Sequence, residues 1–337
     1  MANPLRAMSW VMGVAGKQKS FRANPILANT RLNEWGLHRR RVAMAERMAR
    51  FRRSWMASAL SAEDRAAYAR DGFLVKPDYL PEATLTALRD EVFGAPLPAR
   101  EMRQGQTVTR MAALSGAPVA RGVSLNRDLR NMMSYVGGRG GEPVFCIQTV
   151  IADPARSETD PQTEMHADTF HSTSKCWLFL TDVGEDDGPF VFVPGSHRLT
   201  PERLDWEYRQ SLTAASDARP HHSFGSFRVR PDELEALGYG PPRRMAVPAN
   251  TLIVADTYGF HHRAPSDRPT LRVELYGYLR RNPFVPWNGL DAMALPGIRG
   301  RQIDLFFRQL DAERRFFGKT GIWHDVGRVT ADSAATI

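Results

Sequence analysis

Hydrophobic and polar positions follow two rhythms along this chain, and the change between them falls near residue 143. Before it, apolar residues recur at helical spacing. Leu37, Met44, Met48, Phe51 and Trp55 are separated by 7, 4, 3 and 4 positions, which is one stripe of a helix. Ser61, with Asp64 three residues on, reads as the cap of a helix that runs to Arg70 and stops at Gly72. Residues 73–75 predict a short strand, and Pro81 opens a helix through Leu85, Leu88 and Val92. Residues 97–142 are Gly-rich and show no clear period. From Pro143 onward, apolar β-rich runs follow one another at 144–151, 176–182, 190–193, 251–255 and 271–279. Asp186-Asp187-Gly188-Pro189 and Pro194-Gly195-Ser196 are turn signals between them. Strands in succession, with few helices between, predict an antiparallel sandwich or barrel rather than alternating β and α. An insertion at 199–247 carries helices from Pro201 and Pro231; Ile303, Phe306, Leu310 and Phe317 mark a further helix, and residues 330–337 read as a loose tail.

Composition narrows the class without deciding it. With 337 residues, 42% hydrophobic and 24% charged, the chain is neither disordered, collagenous nor a coiled coil. No run reaches the ~18 apolar residues of a spanning helix. Two cysteines, Cys146 and Cys176, make no disulfide framework and suit a reducing, cytoplasmic setting. The charge is uneven. Residues 1–56 hold twelve Lys/Arg against two acids, a net +10 within an overall +8, which leaves −2 for residues 57–337. The 1–56 segment thus reads as basic and amphipathic, ahead of a body at 57–290 and a C-terminal helical extension at 291–337. Its stripe either packs on the body, leaving the arginines solvated, or lies on an anionic membrane surface, peripheral to its inner face. Nucleic acid is not expected as a partner, because the aromatics sit on the apolar stripe and are not interleaved with the basic residues. Residues 7–16 resemble a short signal h-region but lack a small-x-small cleavage site, so no signal peptide is read here.

The chemistry centres on Met165-His166-Ala167-Asp168. In an extended chain residues i and i+2 point the same way, so His166 and Asp168 can face one ion. Alone, such a tripeptide is as often a surface hydrogen bond. An iron site with one imidazole and one carboxylate needs a second imidazole. The β-rich run 251–255 leads through Asp256 to His261-His262, which supplies one. The two neighbours would face opposite sides of a strand, so only one of them can serve.

From about residue 61 to 284 the sequence resembles the phytanoyl-CoA dioxygenase family of Fe(II)- and 2-oxoglutarate-dependent oxygenases, which includes ectoine hydroxylase. The resemblance rests on motifs in order: Tyr68-x-x-Asp71-Gly72-Phe73 with Tyr79-Leu80-Pro81; His166-Ala-Asp168; Trp177-Leu-Phe-Leu-Thr-Asp182; Asp187-Gly188-Pro189; Val193-Pro194-Gly195-Ser196-His197; Thr251 to Asp256, then His261 and, eleven residues on, Arg272. It implies a mainly β core with flanking helices, a double-stranded β-helix of the jelly-roll, cupin-like kind. It implies Fe(II) held by His166, Asp168 and His261, with His261 preferred over His262, because it fits both family spacings. It implies 2-oxoglutarate on Arg272, with Gln148 and Trp177 lining the cofactor, and O2 as co-substrate. Thr109 and Arg110 become candidates for substrate or ketoacid contact. His171 is either near the pocket or in a surface loop, and His197 belongs to a structural turn. The acidic ligand Asp168 speaks against halogenation. Hydroxylation of an unactivated C–H in a small or lipid-like molecule, with release of succinate and CO2, is the implied default, and desaturation, ring formation and epimerisation stay open because they use the same ligands. Two other classes compete: a catalytically silent ligand- or lipid-binding protein, and a zinc hydrolase in which Arg272 would have no ketoacid to hold.

Overall fold

The computed structural model describes residues 4–156, 158, 160–288 and 291–337. Its strands are β1 Phe73–Lys76, β2 Leu97–Gln104, β3 Thr107–Ala112, β4 Val144–Ala152, β5 Ser174–Phe179, β6 Phe190–Phe192, β7 Arg243–Met245, β8 Leu252–Asp256, β9 His261–Arg263, β10 Thr270–Leu279 and β11 His324–Val329. Eight form one antiparallel sheet in the order β1-β8-β5-β10-β4-β3-β2-β11, and three form a smaller one, β7-β6-β9. The sheets face each other as a jelly roll and, among the described residues, do not close into a barrel. The five expected strand runs appear as β4, β5, β6, β8 and β10.

Side-chain alternation sorts the large sheet into two faces. Leu74, Cys176, Leu178, Leu252, Val254, Val273 and Leu275 point outward. They bury the apolar sides of helices Glu82–Gly94 (Leu85, Leu88, Val92) and Arg127–Val136 (Leu129, Met132, Met133, Val136). Phe73, Trp177, Phe179, Ile253 and Ala255 point inward against Phe190, Phe192 and Met245 of the small sheet. Ser61 caps helix Ala62–Asp71 by accepting from the Asp64 N–H, and Gly72 ends it at φ 88°. A Cβ there would come within 2.5 Å of the His197 ring, so this position needs glycine for space as well as for φ.

Two flanking regions differ from expectation. Helix Leu37–Met56 forms, but it turns a neighbouring face to the body, about a quarter-turn round from the expected stripe. His38, Arg41, Val42, Ala45, Ala49 and Arg52 are buried, while Met44, Phe51 and Trp55 of the expected stripe are 44%, 42% and 59% exposed. The cause is carbonyl demand. Arg41 donates to the carbonyls of Val14 (2.9 Å), Gly16 (3.2 Å) and Gln18 (2.7 Å), and Arg52 to those of Gly138 (2.6 Å), Pro283 (3.0 Å) and Val285 (2.6 Å). Buried carbonyls without donors would be costly, and guanidinium forks satisfy several at once. The same helix joins the insertion helix Pro201–Thr213 through His38 Nε2 and Glu207 (2.9 Å), which Arg203 also binds (3.1 Å). At the other end, the tail is docked rather than loose. Arg110 donates to the carbonyls of Thr330 (3.2 Å), Ser333 (2.9 Å) and Ala334 (2.7 Å), and Ala331 is buried. Strand β11 extends the large sheet beside β2, a pairing that the featureless stretch 97–142 does not announce.

Candidate active site

A cavity of about 230 Å³ opens between the two sheets. His166 and His261 face one another across an antiparallel bridge, exchanging both backbone hydrogen bonds at 2.9 Å. The bridge puts their rings on one side, with centroids 4.6 Å apart. The Asp168 N–H donates to the Thr257 carbonyl (2.9 Å), which anchors the third residue to the turn between β8 and β9 that leads to His261. Asp168 Oδ1 lies 3.7 Å from His166 Nε2 and 3.8 Å from His261 Nε2, and one ligand atom from each residue falls within 4.8 Å of the others.

The imidazoles are prepared for an ion. His166 Nδ1 donates to the Glu164 carbonyl (2.7 Å) and His261 Nδ1 to the Gly259 carbonyl (2.9 Å). Those bonds fix the tautomer and leave the Nε2 lone pairs facing Asp168. Burial keeps both rings neutral: it lowers the pKa of His166 and takes His261 down to about 3. Burial alone would raise the Asp168 carboxyl. The Lys175 ammonium, foremost among the opposing influences, helps to hold the group well below the usual carboxylate range. Two neutral imidazoles and a carboxylate on one side of a point, with room beyond, are the donor set of a facial iron site. His262, on the opposite face of β9, donates Nδ1 to the Arg263 carbonyl (3.0 Å) and sits at the rim, away from Asp168.

At the other end of the cavity is Arg272. Its Nε binds Glu274 (2.9 Å) and its Nη1 the Gly188 carbonyl of the Asp-Gly-Pro turn (2.6 Å); among the described residues Nη2 has no protein partner. One edge of the guanidinium is thus locked, and the residue lines the cavity. Gln148, Trp177 and Thr109 also line it, the Trp177 ring lying 4.5 Å from Phe190 and 6.1 Å from Tyr276. Arg110 is not there. It points to the far face of β3, onto Glu101 (2.6 Å) and the tail, so its place is structural rather than the candidate contact with substrate or ketoacid. His171 is buried and does not line the cavity. His197 packs on Tyr68, and Ser196 Oγ of its turn accepts from the Phe260 N–H (2.8 Å).

Two lysines were missed by the sequence reading. Lys175 Nζ pairs with Asp168 Oδ2 at 2.6 Å, and Lys19 Nζ donates to the Asp168 carbonyl. Burial first, then the like charges of Arg280, Lys175 and Arg228, bring the Lys19 pKa down to about 8 against the pull of Asp168. Lys175 was within reach of strand parity, since it lies two before Trp177 on the same inward face. Lys19 carries no local signal, because only the folded path of a segment 149 residues upstream brings it to Asp168.

The phytanoyl-CoA dioxygenase family model matches residues 68–250. No curated protein matches the chain. Among solved structures, it is similar to the non-haem alpha-ketoglutarate-dependent carbocyclase SnoK of nogalamycin biosynthesis, at 20% identity over 66% of this chain and 84% of that one, with a TM-score of 0.44. The epimerase SnoN, in complex with Fe3+, alpha-ketoglutarate and nogalamycin RO, matches at 18% identity over 76% and 97%, TM-score 0.42. HygX from Streptomyces hygroscopicus, with nickel, 2-oxoglutarate and hygromycin B bound, matches at 16% over 65% and 87%, TM-score 0.42. No helix among the described residues is long and apolar enough to cross a membrane.

Proposed function

This chain belongs to the phytanoyl-CoA dioxygenase family, and we propose that it is an Fe(II)- and 2-oxoglutarate-dependent oxygenase that hydroxylates an unactivated C–H bond of a small molecule. The observation that carries the proposal is the pairing, in one cavity, of the His166–Asp168–His261 donor set with an arginine that also lines it. When bound, iron and the ketoacid supply the oxidising power, with O2 giving one oxygen atom to succinate and the other to the alcohol while CO2 leaves.

The chain's own residues do the rest. His166 and His261 present neutral Nε2 lone pairs, and Asp168 presents Oδ1 while Lys175 occupies its Oδ2. The Nη2 side of Arg272 is positioned for the remote carboxylate of the ketoacid, where a planar guanidinium offers paired donors. Phe179, Phe190 and Trp177 wall the space between and keep water from it. A zinc hydrolase would have no use for that arginine.

Anaerobic protein titrated with Fe(II) and then 2-oxoglutarate should develop a visible metal-to-ketoacid charge-transfer band in the wild type and none in Asp168→Ala. A folded wild-type protein without the band would overturn the reading.

A further inference from the structure

The two ends of the cavity differ in how their cations are matched. At the ketoacid end Arg272 has Glu274 (2.9 Å) and Arg263 has Asp160 (2.9 Å); at the metal end Arg228, bridged to His166, has Glu164 (3.2 Å). Beside Asp168, three cations share one carboxylate. Lys175 pairs with it directly, Lys19 donates only to its carbonyl, and Arg280 donates Nη2 to the Lys17 carbonyl (2.9 Å), two residues from Lys19. Arg280 Nε is buried with no partner among the described residues. Fe(II) and the 2-oxoglutarate dianion cancel one another, so binding them leaves this surplus in place. Partly buried cations without counter-charge are costly, and each ammonium here keeps two further N–H donors to offer.

The surplus is also held in position. The carbonyls of Gly16 and Gln18 are gripped by Arg41, and the Phe21 and Arg22 N–H groups both donate to the Ser223 carbonyl at 3.0 Å. Between these fixed points the backbone of Lys19 lies directly on Gly225, where a Cβ would fall 2.1 Å from the Lys19 carbonyl oxygen. The segment is therefore a strap across the metal end, anchored on both sides, with Lys19 aimed inward. Side-chain exposures of 25% for Lys175 and 23% for Asp168 show that the cluster is reached from solvent. None of the strap falls within residues 68–250.

We propose that Lys19, Lys175 and Arg280 form a seat for an anionic group, carboxylate or phosphate, on the substrate. The inference rests on the oxygenase reading and adds a substrate class to it: a molecule whose target C–H is carried near a fixed negative charge. Lys19 and Arg280 bind and orient that charge, and Lys175 does so while also holding Asp168.

The test is calorimetric. Anaerobic protein saturated with Fe(II) and 2-oxoglutarate, so that Arg272 is occupied, is titrated with inorganic phosphate and separately with propionate at constant ionic strength. Binding of either anion to the wild type is expected, weakened at least tenfold in Lys19→Gln, retained in Lys19→Arg and unchanged in Arg47→Gln, an exposed arginine elsewhere on the N-terminal segment. Preference for phosphate or propionate assigns the class of group. If neither anion binds, or Lys19→Gln binds as the wild type does, the seat is overturned. Should Lys19→Gln fail to fold, Arg280→Gln carries the same expectation. The charge-transfer band is recorded in the same samples. Its absence sinks the oxygenase reading, whereas its presence without anion binding sinks only the seat.

Discussion

The cavity has a ketoacid end and a metal end, built on opposite electrostatic plans. Around Arg272 every cation has a buried carboxylate, and Glu274 itself is fully buried with one oxygen unpartnered. Around Asp168 the cations outnumber the carboxylates. The first end is stiffened for one ligand of fixed shape, because a guanidinium held by two protein partners keeps its remaining edge in one orientation. The second leaves charge to be completed by whatever enters. The difference teaches that neutralisation within the protein and readiness for a ligand are separable properties of an arginine or lysine.

The largest effect should come from removing the stiff end. Arg272→Gln should raise the 2-oxoglutarate requirement by about tenfold to a hundredfold, the worth of a charge-assisted pair, while Fe(II) retention stays as in the wild type. It should also lower stability by about 3–5 kcal/mol, because Glu274 is left as a buried unpaired carboxylate. Adding Glu274→Gln should recover the stability without the ketoacid affinity, and recovery of both would show that Arg272 does not touch the ketoacid. Next comes the metal end. Lys175→Met should weaken Fe(II) retention by about tenfold, as loss of a ligand's outer partner does, with Lys175→Arg recovering part of it. Unchanged iron affinity would mean that Lys175 does not orient Asp168.

The last effect lies outside the cavity and marks where the comparison ends. His197 is held down to about 3, by burial first and then by Arg53 and Arg198; His222 is held to about 4, by burial and then Arg219. Unfolded imidazoles titrate near 6.5, so below that pH the unfolded chain takes up protons that the folded chain refuses. The share of stability that these two rings contribute at pH 7 should therefore be lost as pH drops from 6.5 toward 4. Urea midpoints measured across that range should fall less steeply in His197→Gln. An equal slope would place the acid sensitivity elsewhere.

What could be read in the sequence follows from how local its cause is. Parity along a strand brings His166 and Asp168 together and separates His261 from His262, and both relations hold in the folded chain. Trp177 and Gln148 line the cavity for the same reason. The face of helix Leu37–Met56 was not legible, because apolar periodicity assumes that arginines stay in water. Arg41 and Arg52 are buried by carbonyls from residues 14–18, 138 and 283–285, which no helical wheel contains. The strand Leu97–Gln104 hides for a related reason: its Arg100 and Glu101 are buried in ion pairs where a sheet interior usually shows aliphatics.

The clamp on Arg110 sets an order in time. The Thr330 carbonyl that it binds lies 220 residues further along the chain, and the Asp256 carboxylate that Arg53 binds lies 203 residues beyond it. A ribosome therefore delivers both guanidiniums long before these distant acceptors exist. The strand that carries Arg110 must wait, partly exposed, while most of the sheet is still being made. Such long-range closures slow folding and lengthen the interval in which unpaired edges can meet another chain. The contacts that finish the native state are thus also the ones that a chaperone would have the longest opportunity to guard.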